Sequence, residues 1–305
     1  MRTFLTGATG YVGSAVLDAF LRSGHEIIAL VRDPDSAEHL SRRGVRAVMG
    51  DLSKPATYVS AAEDCDGLVH AAHDPSTRTA KVDRQAIDTL LAVADRRAAT
   101  GRRVNFVYTS AAWVLGDTLD GATEEAPLNP TPLVAWRPEH EQVVIEAARG
   151  VDIGTAVVRP GIVYGGKRGI IGDLLKDAAN GLVRVVGDGR NHWPCVYDRD
   201  LADLYVRLAT CPEISGVFHA NDQADECVND IVEAIACHAR LRPDVRHVPM
   251  AEARAKMGPY ADALALDQIL RSPRARAIGW APTLRSISGN VARLFEEYRA
   301  AREAA

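Results

Sequence analysis

The 305-residue sequence predicts an α/β fold, a doubly wound parallel sheet followed by a smaller C-terminal lobe. Three observations predict it. Short β-branched runs alternate with amphipathic helical stretches over the first 160 residues, the pattern of a parallel sheet covered by helices on both faces. A glycine-rich turn joins the first run to the first helical stretch. The later half is less regular, with Gly165-Gly166 and Gly187-Asp188-Gly189 turns between its apolar segments.

The elements follow in order. Strands are expected at residues 3–6, 26–31, 46–49, 67–70, 105–109 and 155–159, each short and rich in Val, Ile, Thr or aromatic residues. Amphipathic helices are expected at 14–22 and 140–149, then at 228–240 and 286–300. No repeat or low-complexity tract interrupts this order.

Composition bounds the rest. There are 36 basic and 40 acidic residues, a net charge of −4, 47% hydrophobic and 25% charged residues. That balance excludes a disordered or fibrous chain and argues against a general nucleic-acid binder. The longest apolar runs, such as 27–31, are too short to span a bilayer, and no signal peptide precedes the first strand. A cytoplasmic protein with no membrane partner is expected. The five cysteines form no C-x-x-C pair, so neither a disulfide framework nor a metal site is expected. Only five of the basic residues are lysine: Lys54, Lys81, Lys167, Lys176 and Lys256.

The strongest motif is Thr6-Gly7-Ala8-Thr9-Gly10-Tyr11-Val12-Gly13, after a strand and at the head of a helix. Its glycines permit a tight turn and close backbone approach to a pyrophosphate, and the helix N-terminus adds unpaired N–H groups and partial positive charge. Gly7, Thr9, Gly10, Tyr11, Val12 and Gly13 are therefore candidate dinucleotide contacts in a Rossmann-type fold. Arg32 lies 19 residues beyond Gly13, at the end of the second strand. An arginine there suits a 2′-phosphate, whereas an acidic residue would bind a free ribose hydroxyl, so NADP(H) is favoured over NAD(H). Asp33 is one position late and still within reach of a hydroxyl. Asp51 and Leu52 close the third strand, where a carboxylate can accept from an adenine amino group.

On these residues the chain resembles the extended short-chain dehydrogenase/reductases, especially epimerase/dehydratase and dihydroflavonol-reductase-like members. Further matches are Val69-His70-Ala71-Ala72, Val107-Tyr108-Thr109-Ser110, Arg159-Pro160-Gly161-Ile162-Val163-Tyr164-Gly165 and Val196-Tyr197-Asp198-Arg199-Asp200-Leu201-Ala202. Gly279-Trp280-Ala281-Pro282 looks like the family's closing element. The resemblance implies that Ala71, Ala72 and His73 face the riboses and that Thr109 and Ser110 lie beneath the nicotinamide. It implies that Pro160, Gly161 and Val163 flank the carboxamide. By it, 1–163 form the NAD(P)-binding domain with 195–220 returning to it, and 164–194 with 221–305 form a substrate-binding lobe. A homodimer through the helix bearing 136–149 is also implied.

The catalytic positions depart from the family, which uses Ser or Thr and then Tyr-x-x-x-Lys on the following helix. Here Ala111 stands at the hydroxyl position, and Trp136 and His140 stand where Tyr and Lys belong, 25 residues on. No tyrosine lies between Tyr108 and Tyr164, and no lysine lies between Lys81 and Lys167. An indole N–H only donates, so Trp136 is no acid. His140 can contact a ribose or relay a proton, or be a helix-surface imidazole with a structural partner. Arg137 and Glu141 are spaced for a helix-face pair, and Pro138 suits a first turn. Ser110 and Tyr164 complete the catalytic candidates. His192 and Trp193 are expected to border the substrate cleft, and Lys167 and Arg168 are read either as anion contacts or as a solvated loop. The chain is thus read as an NAD(P)-dependent oxidoreductase or epimerase-like protein acting on a carbonyl or hydroxyl of a small molecule. The alternative is a non-redox protein on the same fold, a cofactor-dependent cyclase or isomerase or an NADP redox sensor.

Overall fold

The computed structural model describes residues 1–148, 153–211, 213–240 and 242–303. Seven strands form the central sheet: β1 (Arg2–Thr6), β2 (Glu26–Val31), β3 (Arg46–Met49), β4 (Gly67–His70), β5 (Val104–Thr109), β6 (Ile153–Pro160) and β7 (Gly216–Ala220). Their order is β7-β6-β5-β4-β1-β2-β3, and the six strands from β6 to β3 pair in parallel. This is a Rossmann-type α/β sheet, whose strand order reverses direction beside β1 and opens a crevice at the strand ends. β1, β4 and β6 are buried nearly throughout, as parallel strands covered on both faces must be.

The helices that position the site are α1 (Tyr11–Arg22), α2 (Pro34–Arg42), α3 (Thr79–Ala98) and α4 (Arg137–Ala147). Pro138 falls in the first turn of α4, where its missing N–H is no loss. The helix expected from residue 14 starts three residues earlier, at the glycine turn itself. The expected end of the α4 stretch, Arg149, lies outside the described residues.

Two compact units emerge. The first comprises Met1–Ser110, Trp136–Val158 and Ala202–Phe218, and the second Ala111–Ala135, Arg159–Leu201 and His219–Ala305. Residues 111–135 thus group with the second unit, whereas the sequence reading ran the first domain to 163. Their strand Thr118–Ala122 pairs in parallel with Gln268–Leu270, which explains the grouping.

Within the second unit, Leu182–Val186 pairs with Asp244–Val248, and Ile162–Tyr164 pairs with Cys195–Tyr197. Its core gathers Ile171, Leu175, Val183, Ile231, Ile235 and Leu294. The closing Gly-Trp-x-Pro element is an anchor: Trp280 is buried and its indole N–H donates to the Asp200 carbonyl at 2.7 Å. The Asp200 carboxylate accepts from the backbone N–H groups of Thr283 and Leu284. The expected 228–240 helix ends at His238, and the expected 286–300 helix begins at Val291.

Candidate functional site

The glycine turn shapes a groove of about 370 Å³ in the first unit. Gly7 has φ +79°, and a Cβ there would sit 2.7 Å from the backbone of Ala71 and Ala72. A Cβ on Gly13 would lie 2.0 Å from the Gly7 carbonyl oxygen. Both positions therefore require glycine, one so that the turn passes β4 closely, the other so that α1 packs on the turn. Thr6, Gly7, Thr9, Gly10, Tyr11 and Val12 line one side of the groove. Arg32, Asp51, Leu52, Ala71, Ala72 and His73 also line it. No acidic residue occupies the first turn of α1, which leaves its N-terminal field positive.

Arg32 and Asp33 have different surroundings at the rim. Asp33 caps α2, accepting from the Ser36 N–H at 2.8 Å and from the Ser36 hydroxyl at 2.9 Å, with Pro34 in the first turn. These bonds hold its carboxyl below the usual range. Arg32 is exposed on the groove and makes no ion pair among the described residues. Asp51 is likewise held low by the Ser53 hydroxyl and N–H, at 2.7 and 2.8 Å.

A second feature lies at the ends of β4 and β5, where α3 and α4 cover the sheet. Asp83 of α3 is buried, and its Oδ2 accepts from His140 Nδ1 at 2.8 Å and from the Tyr108 hydroxyl at 2.9 Å. His70 Nε2 stands 3.3 Å from Asp83 Oδ1, an electrostatic contact outside good hydrogen-bond geometry, while His70 Nδ1 meets Thr6 Oγ1 at 2.7 Å. Burial alone would raise the Asp83 carboxyl, but the hydrogen bonds and charges of His140, His70 and Arg137 prevail and hold it well below the ordinary value. Burial pushes the Tyr108 phenol far above its usual range, so it stays protonated and its hydroxyl donates to Asp83. Asp83 is thus an ionised acceptor, which places the imidazole proton of His140 on Nδ1. His140 Nε2 makes no hydrogen bond among the described residues.

His140 is therefore neither a helix-surface group nor a groove-lining one. It is 5% exposed, and its ring meets Trp136 edge to face at 4.9 Å between centroids. The Arg137 guanidinium lies 4.4 Å from the Trp136 ring centroid. It donates to Thr109 carbonyl oxygen at 2.9 Å and to the Tyr108 hydroxyl at 3.1 Å. Arg137, in the first turn of α4, thus reaches the end of β5.

Other candidates fall elsewhere. Thr109 is half-buried, its hydroxyl tied to that of Tyr205 at 2.6 Å on the face opposite Tyr108. Ser110 is buried, with no hydrogen bond to its hydroxyl among the described residues. Ala111, Pro160, Gly161 and Val163 belong to the second unit. Tyr164 is not a cleft residue: it is fully buried and donates to Asp222 Oδ2 and to the Leu284 carbonyl, at 3.2 and 3.0 Å. Burial and the Asp222 charge push its phenol far above neutrality, so it serves the core and not proton transfer. His192 is bonded through Nδ1 to Asp267 at 2.8 Å, and Trp193 lines a separate cavity of the second unit. Arg168 forms the N-cap of the helix Gly169–Ala179. Among the described residues no group of three His, Cys, Asp or Glu side chains could hold a metal, and no helix is long and apolar enough to cross a membrane.

Sequence reasoning missed Asp83. Its signal was a lone acid on the buried stripe of α3, with Val82, Ala86, Ile87 and Leu90 around it. Buried carboxylates are rare unless paired, so that position alone called for partners.

Comparison with known proteins agrees with this geometry. The chain is 30% identical over 305 residues to an uncharacterized protein of Schizosaccharomyces pombe, covering 96% of this chain and 98% of that one. It is 25% identical over 234 residues to a decarboxylating sterol-4-alpha-carboxylate 3-dehydrogenase of Dictyostelium discoideum, covering 72% and 70%. Its fold matches that of MoeE5 in complex with UDP-glucose and NAD, with a TM-score of 0.83, 19% identity and full coverage of both chains. The model of the NAD dependent epimerase/dehydratase family matches residues 3–218, which carry both the groove and the buried cluster. The chain belongs to the NAD dependent epimerase/dehydratase family.

Proposed function

We propose that the protein is an oxidoreductase that prefers NADP(H), acts on a carbonyl or hydroxyl of a small molecule, and uses an Asp83–His140 pair in place of the family's Tyr and Lys. The observation that carries the cofactor preference is the division of labour at the groove rim: Asp33 is engaged as the α2 cap, and Arg32 faces the groove. The residues present fit a dinucleotide, since Gly7 and Gly13 keep clear the backbone cradle that a Cβ would fill. Gly7 to Val12 would hold the pyrophosphate, Arg32 the 2′-phosphate, and Asp51 the adenine amino group. When bound, the nicotinamide supplies or accepts a hydride.

The chain's own residues handle the proton. Asp83 fixes the His140 tautomer and ring orientation through Nδ1, leaving Nε2 as the basic atom. Arg137 holds the end of β5 to α4, and Trp136 packs against the imidazole. The sterol dehydrogenase relative supports the redox reading over a non-redox one.

Calorimetry with NADPH and NADH tests the cofactor. NADPH should bind more tightly, and Arg32→Ala should remove roughly 10- to 100-fold of that affinity while leaving NADH unchanged, the range of a charge-assisted bond. Tighter NADH binding would overturn the assignment of Arg32, and absence of both would overturn the enzyme reading. Deuterium transfer from labelled NADPH to a carbonyl panel tests the reaction, and His140→Asn should abolish it without altering NADPH affinity.

A further inference from the structure

The second unit holds a cavity of about 260 Å³ that no part of the groove accounts for. Its wall is apolar: Leu174, Val185, Trp193, Val248 and Leu264, with exposed Met257 at the outer edge. Three cations and three carboxylates surround it, and they neutralise one another. Arg184 pairs with Asp177 at 3.5 Å, and Glu252 takes both Arg246 at 3.2 Å and Lys256 at 2.7 Å. Asp173 is the remaining carboxylate. A diphosphate or carboxylate would have to break these pairs to find a cation. The Trp193 indole N–H is already spent on the Leu264 carbonyl at 3.0 Å. Tyr260 is different: it lines the cavity, and its hydroxyl makes no hydrogen bond among the described residues.

We propose that this cavity binds a neutral, mainly apolar molecule bearing one carbonyl or hydroxyl oxygen, which the Tyr260 hydroxyl recognises. A dry cavity of about 150 Å³ takes benzene, so this one scales to about ten carbons. The binding stands on the cavity alone. Naming the ligand as the enzyme's substrate rests on the oxidoreductase reading above.

Calorimetry of the full chain with 2-alkanones of six to fourteen carbons tests the proposal, with decanoate and UDP-glucose as charged probes. Affinity should rise about fourfold per methylene, the ratio given by ~0.8 kcal/mol per buried CH₂, and level off near ten carbons. Decanoate should bind more weakly than 2-decanone, and UDP-glucose should not displace the ketone. Tyr260→Phe should lower ketone affinity about tenfold without changing the slope per methylene. Met257→Trp, at an exposed position that tolerates change, should shorten the chain length at which affinity levels off. Lys256→Glu should leave 2-decanone within twofold. Affinity that does not vary with chain length, or preference for either charged probe, overturns the proposal. The two readings fail separately. Ketone binding without hydride transfer sinks only the oxidoreductase reading, and hydride transfer to short carbonyls with no chain-length dependence sinks only this one.

Discussion

Replacing Asp83 by asparagine removes one negative charge and almost no volume from the centre of the buried cluster. The carboxylate is 6% exposed and accepts two hydrogen bonds through one oxygen, at 2.8 Å from His140 and 2.9 Å from Tyr108. Hydrogen bonds to a charged group contribute about 1.5–3 kcal/mol each and neutral ones about 0.5–1.5. Converting both therefore costs about 2–3 kcal/mol, partly offset because a charge is no longer desolvated. A net destabilisation of about 2 kcal/mol is expected, a shift of several degrees in melting temperature.

The catalytic consequence is larger and of a different kind. An asparagine amide turned toward His140 donates to Nδ1, which forces the imidazole proton onto Nε2, the atom proposed as the base. Loss of a positioned base typically costs about 100- to 10,000-fold in turnover. Asp83 lines no part of the groove, so NADPH affinity should hold. The assay is single-turnover hydride transfer from NADPH alongside calorimetric cofactor binding and thermal melting. A variant that melts several degrees lower yet transfers hydride at the parent rate would refute the reasoning, because the cluster would then be structural only.

Three further outcomes follow from the same geometry. Gly13→Ala forces a Cβ into the Gly7 carbonyl oxygen, so NADPH binding should fall at least tenfold by calorimetry while the far-ultraviolet dichroism of the sheet and helices persists. Tyr164→Phe should cost about 1–2 kcal/mol in urea unfolding, from the lost bonds to Asp222 and the Leu284 carbonyl, with turnover unchanged. Burial pushes the Asp222 carboxyl up to about 6, so the folded state holds its proton more tightly than the unfolded chain. Its contribution is full below about pH 4 and is lost as pH rises through 6, so Asp222→Asn should raise stability at pH 7–8 by up to about 3 kcal/mol and flatten the slope between pH 4 and 6.

The sheet was legible because its information is local. The strands from β1 to β6 are short runs, all but the edge strand β3 largely buried on both faces, and the glycine turn announces itself by spacing. The placement of 111–135 was not legible, since its strand pairs with residues about 150 positions later. Tyr164 was misread for the same reason: it follows a turn that suggests a cleft, but its partners lie 58 and 120 residues away. The groove contacts come from short loops after successive strands, so most of them could be named in advance. The Asp83 cluster joins α3, α4, β4 and β5, and only the fold shows that they meet.

That cluster also explains why the helix carries histidine where the family's lysine stood. Arginine dominates the basic residues of this chain, and compositional drift alone would have placed arginine at 140. Position 140 is 5% exposed and stands against a buried carboxylate and an indole face. A guanidinium is permanently charged and has five donors to satisfy, more than this wall provides. An imidazole needs one donor bond, which Asp83 takes, and keeps one nitrogen able to gain and lose a proton. Arginine appears instead at 137, one turn earlier, where the β5 carbonyl end and the Tyr108 hydroxyl absorb its donors. In the proposed mechanism the two residues divide what lysine would do alone, a fixed charge from Arg137 and a proton from His140. A double-mutant cycle between Asp83→Asn and His140→Asn, read in turnover, should therefore show strong non-additivity, the double variant being no slower than either single one. Additive losses would separate the two residues and leave the proton without a route through them.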